Sequence, residues 1–285
     1  MNALRVKAPA KVNLYLRVLG RRADGYHDIE TLFQAIDLED ELIIQPSTGP
    51  AVLEVSGHPD LEGADNLIMR AIRWIERETE RTISVKIRLN KRIPVAGGLG
   101  GGSSDAAATL AGIRDLFDLP LTDESLSRGA SSIGADVAFF FQGGTAIAEG
   151  IGERLTAWPV PLNHSLLLVN PGFAVSTALV YREFSKTLTG KARKGTLRTV
   201  LAEYPAWERI LHNDLQPVAE GLYPEISEIR NSLGQAGLDK VLMSGSGPTV
   251  FGLGDPEQLK DVGERMSRDW NCVLARPLSR GVLID

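Results

Sequence analysis

Cysteine and long apolar stretches are scarce in this chain of 285 residues. The single cysteine, Cys272, excludes an internal disulfide and is typical of a reducing compartment. It lies in an apolar, strand-like run, which favours a small core residue over a nucleophile. The first ten residues lack the apolar stretch of a secretion signal, and no segment is long enough to span a membrane. These absences predict a cytoplasmic protein without a membrane partner.

A surplus of positive charge is also absent. The chain has 31 Lys and Arg against 36 Asp and Glu, a formal net charge of −5. This balance argues against extensive binding of nucleic acid or anionic membranes. The apolar content of 43% and charged content of 24% are ordinary for a globular protein. The length suffices for one large domain or two medium ones.

Strand-like and helix-like patterns alternate along the chain, which predicts a mixed α/β or α+β fold without an internal repeat. Alternating apolar residues predict strands over 3–18 and 29–45. A Trp-Pro-Val-Pro sequence marks a boundary, so we expect domains over 1–158 and 159–285.

Capping signals predict several helices in detail. The predicted helices run from Asp65 or Asn66 to about Arg77, from a Thr122 cap to near Gly134, and from a Ser176 cap through Phe184. The basic stretch 186–198 is the most loop-like segment and predicts a solvated loop.

The strongest local signal is a run of glycines and serines that begins at Pro94 and leads into a helix. Backbone N–H groups can approach phosphate oxygens closely only where no Cβ intervenes, which is why such cradles use glycine. Leu110, Ile113 and Phe117 form the apolar stripe of the following helix. We expect Ser103 or Ser104 to cap that helix and Asp105 to lie in its first turn. A glycine loop feeding a helix N-terminus predicts an anion site.

The spacing of the glycines excludes two common nucleotide loops. A dinucleotide fingerprint starting at Gly98 needs glycine where Ser103 stands, and one starting at Gly100 needs it at Asp105. A P-loop starting at Gly97 needs lysine at position 103. A flexible linker is disfavoured because a basic strand-like segment precedes the run and an amphipathic helix follows it.

Two isolated charges lie in apolar surroundings. Lys11 falls on a predicted strand and shares a face with Asn13, because strand side chains repeat every two residues. The pattern alone favours a lysine at a strand edge whose amine reaches solvent. Asp136 precedes the apolar run Val-Ala-Phe-Phe-Phe and needs a donor or a chemical role there. A helix N-cap is the alternative interpretation of Asp136.

Two further turns carry chemical information. The run from Ser244 to Gly247 is a second glycine loop, which can serve as a hairpin turn or bring backbone amides to the same ligand. Tyr26 and His27 present an aromatic ring and an imidazole together after Asp24-Gly25. They are either surface turn residues or groups that stack on a planar ligand.

Three of these motifs together resemble the signatures of the GHMP small-molecule kinases. They are Pro9-Ala-Lys11-Val-Asn13-Leu, the glycine loop from Gly97 to Ser104, and Ser244-Gly-Ser-Gly-Pro-Thr249. The likeness extends from residue 8 to about 255 in the expected order. It implies a two-domain fold with an N-terminal half like ribosomal protein S5 domain 2, a ferredoxin-like C-terminal half, and an active site in the cleft between them.

Within the superfamily, Arg22-Ala-Asp-Gly-Tyr26-His27 and Gly134-Ala-Asp136-Val resemble the kinases of a cytidine-diphosphate sugar alcohol in the non-mevalonate route to isoprenoid precursors. This resemblance implies phosphoryl transfer from ATP to a tertiary 2-hydroxyl group. Asp136 would take the hydroxyl proton, and Lys11 would stabilise the developing alkoxide charge.

The resemblance also assigns the binding residues. Those implied for ATP are Asn66 and Lys91 at the nucleoside, and Pro94, Val95, Ala96, Gly97, Gly98, Leu99, Gly100, Gly101, Gly102, Ser103 and Ser104 at the phosphates. Those implied for the sugar-alcohol substrate are Asn13, Tyr26, His27, Thr177, Tyr181, Ser244, Gly245, Ser246 and Gly247, with the rings of Tyr26 and Tyr181 as stacking faces.

Several points stay open in the sequence. Mg²⁺ should bridge the phosphates, but the sequence leaves its protein ligand open, with Ser104 as one candidate and Glu149 as a weaker one. The alternatives in function are another GHMP kinase, of the homoserine or mevalonate type, and a catalytically silent nucleotide-binding or RNA-contacting module. We expect small-molecule partners and no nucleic acid, with the oligomeric state open between a monomer and a weak homodimer.

Overall fold

The chain folds into two β-sheets flanked by helices, in a computed structural model that describes residues 3–159, 162–187, 196–203 and 210–284. In chain order the strands of the described residues are β1 Leu4–Arg21, β2 His27–Pro46, β3 Val52–Val55, β4 Val85–Asn90, β5 Thr145–Gly150, β6 Arg154–Ala157, β7 Ser165–Asn170, β8 His212–Asn213, β9 Lys240–Met243, β10 Val250–Gly254, β11 Asn271–Ala275 and β12 Leu283–Ile284. The helices are α1 Leu67–Thr79, α2 Gly101–Leu116, α3 Asp123–Ala130, α4 Phe139–Gln142, α5 Thr177–Ser185, α6 Leu197–Glu203, α7 Gln216–Leu222, α8 Pro224–Gln235 and α9 Pro256–Met266, with a short 3₁₀ turn at Pro59–Leu61.

The first sheet is built on one long antiparallel pair, β1 and β2. Their register shifts three times, between Pro9 and Ala10, between Asn13 and Tyr15, and near Val18. Such bulges increase twist and re-aim side chains. The main strand order is β12-β1-β2-β4-β3, with β5 and β6 extending from β2 and β8 pairing with β1. Strands β8 and β12 follow residue 159 in the chain, and the domain boundary at 158/159 stays a prediction.

Helices α1 and α2 cover one face of the first sheet. Helix α1 buries Ile68, Ile72 and Ile75, an apolar stripe at helical spacing. Helix α2 buries every residue from Ser104 to Ile113, and its apolar residues join one core cluster with strand residues such as Phe33 and Leu42. This packing holds the N-terminus of α2 against the sheet, where the glycine loop enters it.

The second sheet has the strand order β11-β7-β10-β9, and all of its pairs are antiparallel. When the four strands are numbered in chain order, from β7 to β11, their order across the sheet is 4-1-3-2. Helix α8 precedes the second of these strands and α9 follows the third, which is the split β-α-β arrangement of ferredoxin-like folds. Helices α8 and α9 bury Ile226, Ile229, Leu259 and Val262 against it. The mixed α/β fold class predicted from the sequence is confirmed.

The predicted helices largely match, with one difference in detail. Asn66 caps α1, Thr122 caps α3 and Ser176 caps α5, each through its side-chain oxygen. Helix α3, however, ends at Ala130 rather than near Gly134. The Gly134 N–H donates to the Ala130 carbonyl in a turn that follows the helix. The helix-like pattern of the sequence therefore continues past the end of the helix.

Other predictions fall partly outside the described residues. In the 186–198 loop, residues 188–195 lie outside them, and Leu197 already begins α6. Val160 and Pro161 of the predicted boundary also lie outside. Cys272 is half-buried in β11, and burial raises the pKa of its thiol to about 11, which disfavours a nucleophilic role. No helix among the described residues is long and apolar enough to cross a membrane.

Candidate active site

A cleft of about 1310 Å³ brings most of the predicted site residues together. Its lining includes the predicted catalytic pair Lys11 and Asp136, the loop from Pro94 to Ser103, and residues next to the second sheet, in α5 and the second glycine loop. The other predicted residues that line it are Asn13, Tyr26, His27, Asn66, Lys91, Thr177, Tyr181, Gly245 and Ser246. Ser104, Ser244 and Gly247 are not part of this lining.

The glycine loop ends where helix α2 begins, at Gly101. Its N-cap is Gly100, which has a left-handed φ of 72°. The expectation that Ser103 or Ser104 caps the helix is therefore wrong, and Asp105 lies beyond the first turn. The left-handed turn at Gly100 starts the helix three residues earlier than a serine cap would. The first N–H groups of α2 have no partner within the helix and form an anion site at its positive end.

The second glycine loop supports the first from behind. Ser244 Oγ donates to the Gly98 carbonyl at 2.9 Å, and Thr249 N–H donates to the Gly97 carbonyl at 3.4 Å. Gly98 has a φ of 77°, and a Cβ at this position would clash with the Ser244 carbonyl. Ser244 therefore holds the loop in shape, while Gly245 and Ser246 line the cleft.

Lys11 and Asp136 meet beside this loop. Lys11 Nζ lies 3.5 Å from Asp136 Oδ2 and donates to Asn13 Oδ1 at 2.7 Å and to the Gly98 carbonyl at 3.2 Å. Lys11 is 4% exposed, so the interpretation as a strand-edge lysine is wrong. Burial lowers the pKa of Lys11, and the Asp136 charge opposes that shift. The N-cap of α4 is Ala138, so the N-cap interpretation of Asp136 is wrong as well.

Aromatic groups line the other end of the cleft. The rings of His27 and Tyr181 lie 5.0 Å apart between centroids. Ser185 Oγ donates to the Tyr181 carbonyl, so it accepts from His27 Nε2–H at 2.7 Å, which leaves Nδ1 as an acceptor. Burial and then the Asp136 charge raise the pKa of Tyr181, which keeps its phenol neutral. The Tyr26 side chain is 60% exposed at the mouth, and its role as a stacking face stays a prediction.

The residues predicted at the nucleoside have structural partners. Asn66 caps α1 through Oδ1 and donates from Nδ2 to the Leu61 carbonyl at 2.7 Å. Lys91 Nζ lies between Asp40 Oδ2 at 2.5 Å and Asp105 Oδ2 at 2.9 Å. Asn66 and Lys91 also line the cleft.

The pKa values in this buried group are strongly displaced. Burial raises the pKa of Asp105 to about 8 against the lowering effect of Lys91, and Asp40 adds to the rise. Burial lowers the pKa of Lys91, but Asp105 and Asp40 outweigh it and the net shift is upward. Two carboxylates share one ammonium in this group, so its charges do not cancel when all three side chains are ionised.

Comparison with known proteins identifies the family of this chain. The family model described as GHMP kinases N terminal domain matches residues 66–144, and the GHMP kinases C terminal model matches residues 200–272. A relative from Geobacter metallireducens, named 4-diphosphocytidyl-2-C-methyl-D-erythritol kinase, is 43% identical over 282 residues, covering 98% of this chain and 100% of its own. This chain belongs to the GHMP kinase family.

Solved structures of GHMP kinases have the same fold. A crystal structure of 4-(cytidine 5'-diphospho)-2C-methyl-D-erythritol kinase is 35% identical with a TM-score of 0.79, and the match covers 95% of this chain and 98% of that one. Homoserine kinase from Cytophaga hutchinsonii has a TM-score of 0.76 at 18% identity, over 100% of this chain and 98% of its own. The second likeness concerns the fold alone. The predicted resemblance to the GHMP kinases is confirmed.

Sequence reasoning missed several residues of this GHMP kinase site. Asp40 and Asp105 hold Lys91, and Ser185 orients His27. Asn213 Nδ2 donates to the carbonyls of Met243 and Gly245, which shapes the second glycine loop. None of these side chains has a partner near it in sequence that signals the contact. Of these residues the sequence pattern singles out only Asp105, which it places in the first turn of α2, whereas Asp105 lies beyond that turn.

Proposed function

We propose that this GHMP kinase transfers the terminal phosphoryl group of ATP to the 2-hydroxyl of 4-diphosphocytidyl-2-C-methyl-D-erythritol, a cytidine-diphosphate sugar alcohol. The products are the 2-phosphate and ADP, as in the non-mevalonate route to isoprenoid precursors. The observation that carries the proposal is the Lys11–Asp136 pair, 3.5 Å apart in a cleft shared with the glycine loop and the His27–Tyr181 stack. Full-length relatives named for this reaction support the choice of substrate.

In this reaction Asp136 accepts the proton of the 2-hydroxyl as its oxygen attacks the terminal phosphorus. The new O–P bond forms while the bond from phosphorus to the β-phosphate oxygen breaks, and ADP leaves. Lys11 stabilises the alkoxide charge that develops on the attacking oxygen. Its position is fixed by Asn13 and the Gly98 carbonyl, so little reorganisation is needed at the moment of transfer.

The glycine loop supplies donors for the phosphates. Gly101, Gly102 and Ser103 form the first turn of α2, and their N–H groups point out of the helix at its positive end. The loop is tied to β1 by Lys11 N–H, which donates to the Leu99 carbonyl at 2.9 Å. The cation and the phosphate cradle are therefore held by one strand, and Asp136 lies beside that cation.

The cytidine portion of the substrate fits the aromatic end of the cleft. His27 Nδ1 is available as an acceptor, which suits the exocyclic amine of cytosine. Tyr181 offers a ring for stacking, with Tyr26 at the mouth. Thr177 Oγ1 and Ser246 Oγ lie 2.8 Å apart and supply hydroxyl groups for the sugar alcohol.

Mg²⁺ is expected with the nucleotide, and Ser104 fits as its protein ligand. Ser104 Oγ is fully buried and has no hydrogen-bond partner among the described residues, and it lies in the first turns of α2. Neither residue lines the cleft, but Glu149 fits less well, because its carboxylate faces Arg198 at 3.5 Å. When bound, the ion neutralises negative charge on the phosphates.

We also infer a cytoplasmic location, where ATP is abundant and a single cysteine remains reduced. The net charge of −5 supports small-molecule partners rather than nucleic acid. The division into an ATP-binding part, 1–158, and a second part, 159–285, stays a prediction, as does a monomer or weak homodimer.

A substrate panel tests the proposal. Purified protein is supplied with Mg²⁺-ATP and, in separate reactions, with the cytidine-diphosphate alcohol, homoserine or mevalonate, and ADP release is followed in a coupled assay. We expect turnover with the cytidine-diphosphate alcohol only, because homoserine and mevalonate have no base to stack on Tyr181. Turnover with homoserine or mevalonate instead would show that this alcohol, and not the cytidine-diphosphate alcohol, is the substrate. ATP binding without turnover on any alcohol would indicate a non-catalytic module.

A further inference from the structure

Three buried charges connect the two ends of the phosphate-binding loop. Asp40 lies on β2, Lys91 follows β4, and Asp105 lies on α2. Lys91 Nζ donates to Asp40 Oδ2 at 2.5 Å and to Asp105 Oδ2 at 2.9 Å, and all three side chains are at most 5% exposed. The loop Pro94–Gly100 lies between Lys91 and Asp105 in the chain, so this ion triad bridges across it.

Asp40 fixes the chain just before the loop. Besides the lysine, it accepts hydrogen bonds through Oδ1 from Arg92 N–H at 2.5 Å and Ile93 N–H at 2.9 Å. One fully buried carboxylate thus sets the backbone of the two residues that lead into Pro94. Because backbone N–H groups must reach the phosphates closely, the path of this segment determines where they point.

Lys91 in turn lies against the start of helix α2. A Cβ built on Gly101 would be 3.1 Å from Lys91 Nζ, and Lys91 itself lines the cleft. A cation at a helix N-terminus is unfavourable by itself, because both carry positive charge. Two carboxylates offset this cost and accept two of the three ammonium protons, which leaves one N–H for a ligand in the cleft.

Asp105 has one evident task. Among the described residues its Oδ2 accepts a hydrogen bond from Lys91 Nζ and its Oδ1 is buried without a partner, while the Asp40 carboxylate is the other charged group beside it. A carboxylate buried for that single contact is costly unless the contact matters. Asp105 therefore acts through Lys91 rather than through the helix that carries it.

We propose that Asp40 and Asp105 are positioning residues for ATP, because they hold the Lys91 ammonium at the N-terminus of α2 and fix both ends of the phosphate loop. This inference rests on the proposed function only in taking ATP as the nucleotide. Loss of either carboxylate weakens ATP binding by releasing Lys91. Binding of the alcohol substrate is affected less.

A double-mutant cycle on ATP affinity tests this role. The dissociation constant of Mg²⁺-ATP is measured by calorimetry for the wild type, Asp105→Asn, Asp105→Ala, Asp40→Asn, Lys91→Met and the double variant Asp105→Ala/Lys91→Met. An asparagine at position 40 keeps an Oδ1 acceptor for the two backbone N–H groups but turns its NH₂ toward the lysine, so Lys91 loses both the charge and the acceptor. Asp37→Asn is the matched control, since Asp37 lies on the same strand and pairs with Arg276 at the surface.

We expect the Asp105→Ala, Asp40→Asn and Lys91→Met changes to weaken ATP binding by about tenfold or more, as for loss of a hydrogen bond to a charged group. Asp105→Asn, which retains an acceptor, should be milder. In the Lys91→Met background Asp105→Ala should add little, because its effect passes through the lysine. In steady-state assays most of the loss should fall on KM for ATP rather than on kcat.

Three results would overturn the inference. One is ATP affinity in the Asp40 and Asp105 variants that stays as close to the wild type as in Asp37→Asn. Another is an Asp105→Ala effect that is undiminished without Lys91. The third is a wild-type protein that does not bind ATP. If Asp40→Asn does not fold, as judged by thermal melting, the Asp105 and Lys91 arms complete the test. If the substrate panel fails while ATP binding is normal, the double-mutant cycle can still be interpreted, because it depends on ATP affinity alone.

Discussion

Lys11 Nζ and Asp136 Oδ2 lie 3.5 Å apart, although the lysine belongs to the first strand and the aspartate to the turn before α4. The lysine is buried and the aspartate is partly open to the cleft. This asymmetry suits a fixed cation and a base that must exchange its proton with solvent after each turnover.

Replacement of Asp136 by asparagine should abolish most of the catalysis while sparing the nucleotide site. Loss of a general base costs roughly 10²–10⁴-fold in kcat. Steady-state kinetics and ATP calorimetry on Asp136→Asn measure the two effects separately. Asp261→Asn, at an exposed position of α9, is the control. An Asp136→Asn variant that keeps most of its kcat would remove this residue from proton transfer.

Gly98→Ala should damage both stability and ATP binding. The position has a φ of 77°, and a methyl group there would clash with the carbonyl of Ser244. Strain of this kind costs about 1–3 kcal/mol of unfolding free energy. Urea unfolding and ATP titration check the two effects. Gly221→Ala is the comparison, because nothing lies within 4 Å of its would-be Cβ in helix α7. Equal behaviour of the two variants would contradict the packing argument.

Protein stability should depend on pH through His27. Burial, and then the nearby Arg21 guanidinium, lower the pKa of His27 below its ordinary value of 6.5. The unfolded chain therefore binds the proton more readily. Stability from this residue is fully present above about pH 6.5 and is lost as the pH falls through the folded-state pKa. His27→Gln should flatten that loss when urea unfolding is compared at acidic and neutral pH.

The same charge effect has a direct spectroscopic measure. Arg21→Gln should raise the pKa of His27, observed by NMR titration of the imidazole C–H signals, because one of its two lowering causes is removed. Arg22→Gln is the matched control, since Arg22 pairs with Asp24 and Asp28 instead. If both variants shift His27 equally, the effect is one of overall charge and not of Arg21 in particular.

Tyr181→Ala should raise KM for the cytidine-diphosphate alcohol and leave KM for ATP nearly unchanged. Stacking of a base on an aromatic ring contributes about 1–3 kcal/mol. Tyr181→Phe keeps the ring and should stay near the wild type, which separates stacking from the hydroxyl. Steady-state kinetics with each substrate varied in turn decide the matter. Equal KM values for the alanine and phenylalanine variants would place the base elsewhere.

The sequence predicted the parts of the site whose chemistry is local. The glycine run had to approach another backbone or a ligand, and Gly98 and Gly100 both have left-handed backbone angles that glycine adopts freely. Asp136 was found because a carboxylate beside three phenylalanines needs a partner or a task. The helix caps at Asn66, Thr122 and Ser176 followed from side chains that bond within a few residues.

The parts that escaped prediction depend on contacts between distant segments. Asp40 and Lys91 are 51 residues apart, and neither has a neighbour in sequence that reveals the pairing. The start of α2 was misplaced because a serine is a good cap by propensity, whereas the loop geometry at Gly100 decides. The pattern indicated an edge lysine because the groups that cover Lys11, among them the glycine loop and the Phe33 ring, come from other segments of the chain.

Strand β1, which carries Lys11, has β12 as its neighbour on one side, with Val6 opposite Ile284 and Lys7 opposite Leu283. A ribosome delivers those two partners long after it has made the strand with which they pair. Strand β1 therefore completes its ladder only once synthesis has reached residue 284, although Lys11 has emerged long before.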